Sequence, residues 1–173
     1  MLLAANVLLF GLAACAGWLS ADRRGEQVQV RPSADITGDR IRSDAAYILR
    51  SNLRVAGGLL AGACTLGLLT LVGLLYNAFH LGYGLSALTR GAAEILPFLA
   101  SYVPLEFLAL ILVATATQHL SWGVVRGLAT GEPVRFSAGA VSLIIGGVLL
   151  VVAAIVEASV MPAIAAVTGQ ARP

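Results

Sequence analysis

This chain is short of charge. Only 12% of its 173 residues are charged, against 58% hydrophobic, and mean hydropathy is +0.88. A soluble domain carries roughly 25% charged residues. This chain lacks the polar surface to cover a globule in water, and the composition places it in a bilayer. Lysine is missing altogether: all 11 basic residues are arginines, and the net charge is only +2. No interleaving of basic and aromatic residues points to nucleic acid. The two cysteines, Cys15 and Cys64, both lie in apolar runs, which argues against a metal centre or a disulfide framework. H-E-x-x-H, G-x-S-x-G and the Walker A pattern do not occur, and Gly82-Tyr-Gly84 lacks the third glycine of a dinucleotide loop. The sequence therefore predicts neither an enzyme nor a bound cofactor.

What is present is a series of apolar stretches with a polar interruption. Leu2–Leu19 is uncharged and just long enough to span, so residues 1–20 read as a first transmembrane helix. "LAAC" at Leu12–Cys15 fits a lipoprotein cleavage site. However, no Lys or Arg precedes the run, and the run continues past the cysteine, so processing is not expected. Residues 21–54 form an arginine-rich connector and an amphipathic helix, with seven arginines against five acids. Ile41, Ala45, Ile48, Leu49 and Leu53 share one face of that helix, with Arg40, Arg42, Asp44, Arg50 and Arg54 mostly on the other. Such a helix suits either the membrane surface or the outside of its own membrane domain.

Residues 55–173 read as the transmembrane core. Val55–Tyr76 is an uncharged span, in which Gly58 and Gly62 form a G-x-x-x-G pair suited to close helix packing. "NAFHLGYG", Asn77–Gly84, reads as a break. Gly84–Ser101 carries Arg90 and Glu94 and reads as a short tilted or re-entrant helix. Val103–Val125 and Ser137–Val167 complete the set. The predicted fold is all-α, a multi-span transmembrane helical bundle with an amphipathic interfacial helix. The arginine-rich connector is expected to face the cytoplasm. If 84–101 does not cross, the loop with Arg126 and Arg135 lies on that side too, while a five-span path puts it opposite.

The candidate intramembrane polar site comprises Asn77, His80, Glu106 and Glu157. Glu106 has two readings. With Pro104 at the first helical position, Glu106 becomes the third, where a carboxylate caps a helix. Alternatively it contacts a proton, ion or substrate in a protein-lined cavity. Glu157 follows twenty uncharged residues, and an ionisable group inside a span is a functional candidate. His80, His119, Arg90 and Asn77 are its candidate partners. His119 stands about 20 Å along the helix from Glu106, so those two cannot share a site, and His119 with Trp122 marks an interfacial helix end.

Three blocks in order carry a resemblance. "YILRSNLRVAGGLLAGACTLGLLTLVGLLYNAFHLG" holds Asn52, Asn77 and Gly82, "SYVPLEFLAL" holds Glu106, and "IVEASVMPAI" holds Glu157 and Pro162. From Tyr47 to Ile164 they resemble the stage II sporulation protein M family of bacterial membrane proteins. Ser101, Tyr102 and Val103 stand where the family has Pro-His-Gly, and Phe107 where it has leucine. The resemblance implies a multi-pass protein of the bacterial cytoplasmic membrane without established catalytic chemistry. It further implies either a scaffold for cell-wall remodelling in sporulation, assembling with itself or a partner, or a companion of an ABC transporter, including systems that export circular bacteriocins.

Overall fold

The computed structural model describes residues 1–24, 38–91, 93–134 and 137–167. These residues form helices and short connections, with no strand among them. Five α-helices follow one another: α1 (Leu2–Arg24), α2 (Gly38–Ala61), α3 (Leu68–Gly91), α4 (Leu96–Thr130) and α5 (Ser137–Val167). Short 3-10 turns, Gly62–Thr65 and Ala93–Ile95, precede α3 and α4. Four stretches are long and apolar enough to cross a membrane: Leu2–Asp22, Leu68–Arg90, Ala93–Thr130 and Gly139–Ile164. They fall on α1, α3, α4 and α5. The all-α, multi-span class read from composition is what the chain adopts.

Two tightly packed helix pairs build the bundle, α1 on α3 and α4 on α5. Glycines make both approaches possible. A Cβ on Gly17 would overlap the Phe79 carbonyl oxygen, and one on Gly82 would overlap that of Ala14. Gly146 and Gly139 bring α5 within 3.0 and 3.2 Å of the Ala109 and Ala116 carbonyls, measured from where a Cβ would stand. Where lipid supplies no hydrophobic drive between helices, such close backbone contact is what holds them together. The core is small: Leu74, Val113 and Leu150 are among its fully buried side chains. Large apolar residues instead point outward, as Leu8, Leu12, Ile144, Val148 and Ile155 do. A helix apolar all round, lipid-facing on its open side, accounts for that arrangement.

Contacts fix which ends coincide. Arg90 near the end of α3 binds Asp22 near the end of α1, so these two helices run parallel. At the other end, Asn6 of α1 bonds to Thr115 and Gln118 of α4, and Gly67, before α3, lies against Gln118 and Ser121. α4 therefore runs antiparallel to both. It begins where α1 leaves the bundle and ends opposite. The loop 131–134 lies at that opposite end, away from the end at which α1 finishes, so Arg126 stands on the side that the five-span path gave it, although 84–101 is not itself a span. Arg135 and most of the connector lie outside the described residues.

Three sequence boundaries move. Val55–Tyr76 is not one span: the chain turns at Gly62–Gly67, where Leu66 has φ 54° and Gly67 has φ 85°. The Gly67 N–H bonds to the Gly62 carbonyl, and Thr70 Oγ1 donates to the Leu59 carbonyl at 2.7 Å, closing an α2–α3 hairpin. The turn escapes a hydropathy reading because Ala61–Gly67 is almost wholly apolar or glycine. Conversely, Asn77–Gly84 is no break but the middle of α3. Its Gly82 seats α1 rather than bending the chain. Gly84–Ser101 is likewise not a separate re-entrant helix, because it divides among the end of α3, the turn and the start of α4.

Candidate functional site

α4 begins at Leu96 with Pro97 in its first turn, where the missing N–H of proline is harmless. Pro104 and Glu106 are then internal. The capping role for Glu106 is overturned, since Glu106 stands about 15 Å into the helix. α5 likewise continues through Glu157 and Pro162 to Val167. Antiparallel packing of α4 on α5 puts Glu106 and Glu157, far apart in sequence, within electrostatic reach of each other. Tyr102, one turn before Glu106 on α4, lies within electrostatic reach of both and is buried. Each helix also contains a proline close by. Pro104 and Pro162 remove one helical N–H each, which takes the usual donor from the carbonyls of Ala100 and Ala158. Two acids, a phenol and loosened backbone carbonyls thus share one region of the bundle. They supply ionisable and hydrogen-bonding groups that hydrocarbon alone cannot.

The other two residues of the predicted site stand differently. Asn77 donates its amide to the Gly73 carbonyl of its own helix at 2.7 Å. His80 is exposed and packs its ring on Tyr76, with centroids 4.3 Å apart. Among the described residues, neither hydrogen-bonds to a glutamate. Arg90, a candidate partner for Glu157, reaches α1 with both terminal nitrogens: Nη1 donates to Asp22 Oδ1 and Nη2 to the Ala21 carbonyl, each at 2.9 Å. A guanidinium at the carbonyl end of α1 also complements that helix's dipole. The glycine pair is split. Gly62 packs against Thr70 inside the hairpin, whereas Gly58 is exposed with nothing within 4 Å of where a Cβ would stand.

Sequence reasoning left three buried polar residues out of the candidate site. Asn6, 2% exposed, donates to Thr115 Oγ1 at 2.9 Å and to Gln118 Oε1 at 3.0 Å, tying α1 to α4. A lone amide in an otherwise apolar span was the available signal. Tyr102 was noted only as a departure from a family pattern. Asn52 is buried on the inner face of α2, and its amide nitrogen has no hydrogen-bond partner among the described residues. Cys15 and Cys64 are free thiols and exposed.

Comparison with curated proteins and with solved structures gives no match. A family model does match, and it covers nearly the whole bundle, reaching back into α1 beyond the blocks that carry the resemblance in the sequence. The chain, matched over residues 6–162, belongs to the stage II sporulation protein M family.

Proposed function

We propose that this protein is a non-catalytic, multi-pass subunit of a bacterial cytoplasmic membrane assembly, associating with itself or with a transporter or cell-wall-remodelling machine. One observation carries the reading. The bundle uses its scarce polar groups to tie helices together, through Asn6 to Thr115 and Gln118, Arg90 to Asp22, and Thr70 to Leu59. That is the design of a rigid framework. Family membership supports it through the scaffold role that the family's sporulation member resembles. The arginines after α1 orient the connector end toward the cytoplasm. Extraction into native-membrane nanodiscs, with subunits counted and co-extracted proteins identified, tests the proposal. Discs holding more than one copy, or a stoichiometric membrane partner, are expected. Discs holding a single copy and no other protein would contradict it.

A second reading is favoured by the placement of Glu106, Glu157 and Tyr102 within electrostatic reach of one another. Here the chain belongs to an ABC-linked export or immunity system for peptides such as circular bacteriocins, and the acids contact cargo or protons. Glu157→Gln should then abolish export or immunity while the protein still inserts and assembles. Undiminished export by that variant would retire the role of the carboxylates.

A further inference from the structure

Two cavities lie where α4 leaves the bundle, at the end away from the Arg90–Asp22 pair. Three features mark the edge of the bundle there. The turn at Gly62–Gly67 lies beside Gln118 and Ser121, Asn6 near the start of α1 bonds to Gln118, and Gly139 in the first turn of α5 lies against Ala116 and His119. From Ser121, α4 runs on past that edge to Thr130, roughly 13 Å further. Trp122, exposed just beyond the edge, is the kind of side chain that sits at the level of lipid headgroups.

The first cavity, about 290 Å³, is built by the loop after α4. Gly131, at φ 70°, ends the helix, and the chain folds back along it. Gly123 and Gly127 admit the loop: a Cβ on Gly127 would stand 3.0 Å from the Glu132 carbonyl oxygen, and one on Gly123 would stand 3.1 Å from Val134 Cγ1. His119, Trp122, Arg126 and Glu132 line the space. Its charges are thus one of each sign. Arg126 Nη2 pairs with Glu132 Oε2 at 3.0 Å, and both side chains are exposed, so the pair is loosely held. A guanidinium has five N–H donors and a carboxylate about four acceptor sites, which leaves both groups able to take a further partner. His119 and the Trp122 indole have no hydrogen-bond partner among the described residues. The second cavity, about 160 Å³, is lined by Leu60, Leu120 and Leu143, from α2, α4 and α5, and again by His119. The histidine stands where a charged cavity meets an apolar one.

We propose that the two cavities together bind one phospholipid whose zwitterionic headgroup carries a primary ammonium, phosphatidylethanolamine. The phosphate takes N–H groups of Arg126 and the Trp122 indole, and the ammonium donates to the Glu132 carboxylate. An acyl chain lies along Leu60, Leu120 and Leu143, on the other side of His119. Charge selects the headgroup. An anionic lipid would set its phosphate beside the Glu132 carboxylate with no cation to offset it, and a choline group has no N–H to donate. The apolar cavity selects a lipid over a free phosphate compound, which has no hydrocarbon to bury there.

Native mass spectrometry of the full-length chain in mild detergent tests this, with tail-matched phosphatidylethanolamine, phosphatidylcholine and phosphatidylglycerol titrated in turn. One phosphatidylethanolamine should be retained, about tenfold more tightly than either other lipid. Glu132→Gln should erase its preference over phosphatidylglycerol, while Glu132→Asp should keep most of it. Glu132 and Ala140 are exposed, so these substitutions leave the fold in place. Ala140→Trp, at the wall of the apolar cavity, should weaken phosphatidylethanolamine severalfold without changing the order of the headgroups. Equal retention of the three lipids by the parent chain overturns the proposal, as does a preference that survives Glu132→Gln. Glycerophosphoethanolamine, which has the headgroup and no tails, should compete weakly. If it competes as well as the lipid, the polar cavity is a small-molecule site and the lipid assignment fails.

Discussion

Asn6 shows how a single polar side chain acts in this bundle. Its amide is buried and donates to both Thr115 and Gln118, and Thr115 Oγ1 in turn donates to the Ile111 carbonyl at 2.8 Å. Interhelical hydrogen bonds of this kind in membranes contribute about 0.6 kcal/mol on average and at most about 1.7. A double-mutant cycle with Asn6→Ala and Thr115→Ala, read by unfolding in detergent, should therefore give a coupling of about 1 kcal/mol. A coupling near zero would remove this contact from the forces joining α1 to α4. Glu106 teaches the converse lesson. Proline two residues before a glutamate reads naturally as a helix start, and the sequence supports that reading until the register of Leu96 is known. How near Glu106 comes to Glu157 depends on how far α4 slides along α5. Gly139 and Gly146 set that offset through contacts with Ala116 and Ala109, and no local pattern reports them.

At the scale of elements, the helices were legible and their ends were not. Long apolar runs announce spans whatever their packing, so the segments near α1, α4 and α5 are found from hydropathy alone. Glycine is the ambiguous letter. In Gly62–Gly67 it serves a turn, at Gly82 it admits α1, and at Gly58 it faces outward, yet all three lie in similar apolar surroundings. The structure separates these roles, and substitution can check them. Gly82→Ile should break the α1–α3 pair, with a loss of several kcal/mol because the obstruction is backbone, while Gly84→Ala, where nothing lies within 4 Å, should be neutral or slightly stabilising. Gly62→Ile should unfold the α2–α3 hairpin, whereas Gly58→Ile should leave the isolated chain as stable as before. Thermal denaturation in mild detergent distinguishes all four. Equal sensitivity at Gly58 and Gly62 would contradict the packing described here.

For the whole molecule, composition identified lipid as the solvent, and the contacts identify which ends of the helices meet. α1 and α3 finish together at the Arg90–Asp22 pair, α4 starts there, and the loop after α4 lies at the far end, where Arg126 pairs with Glu132 at 3.0 Å. Charge counting alone left two paths open because the loop carries few charges and 84–101 is neither plainly apolar nor plainly polar. The path in turn fixes the antiparallel run of α4 and α5 that puts Glu106 and Glu157 within electrostatic reach of each other, on which the second functional reading stands. Single-cysteine labelling in sealed vesicles measures it directly, in a background carrying Cys15→Ser and Cys64→Ser. A membrane-impermeant maleimide should reach Asp22→Cys and Glu94→Cys from one side only, and Glu132→Cys only from the other. Labelling of Asp22→Cys and Glu132→Cys from the same side would contradict the account.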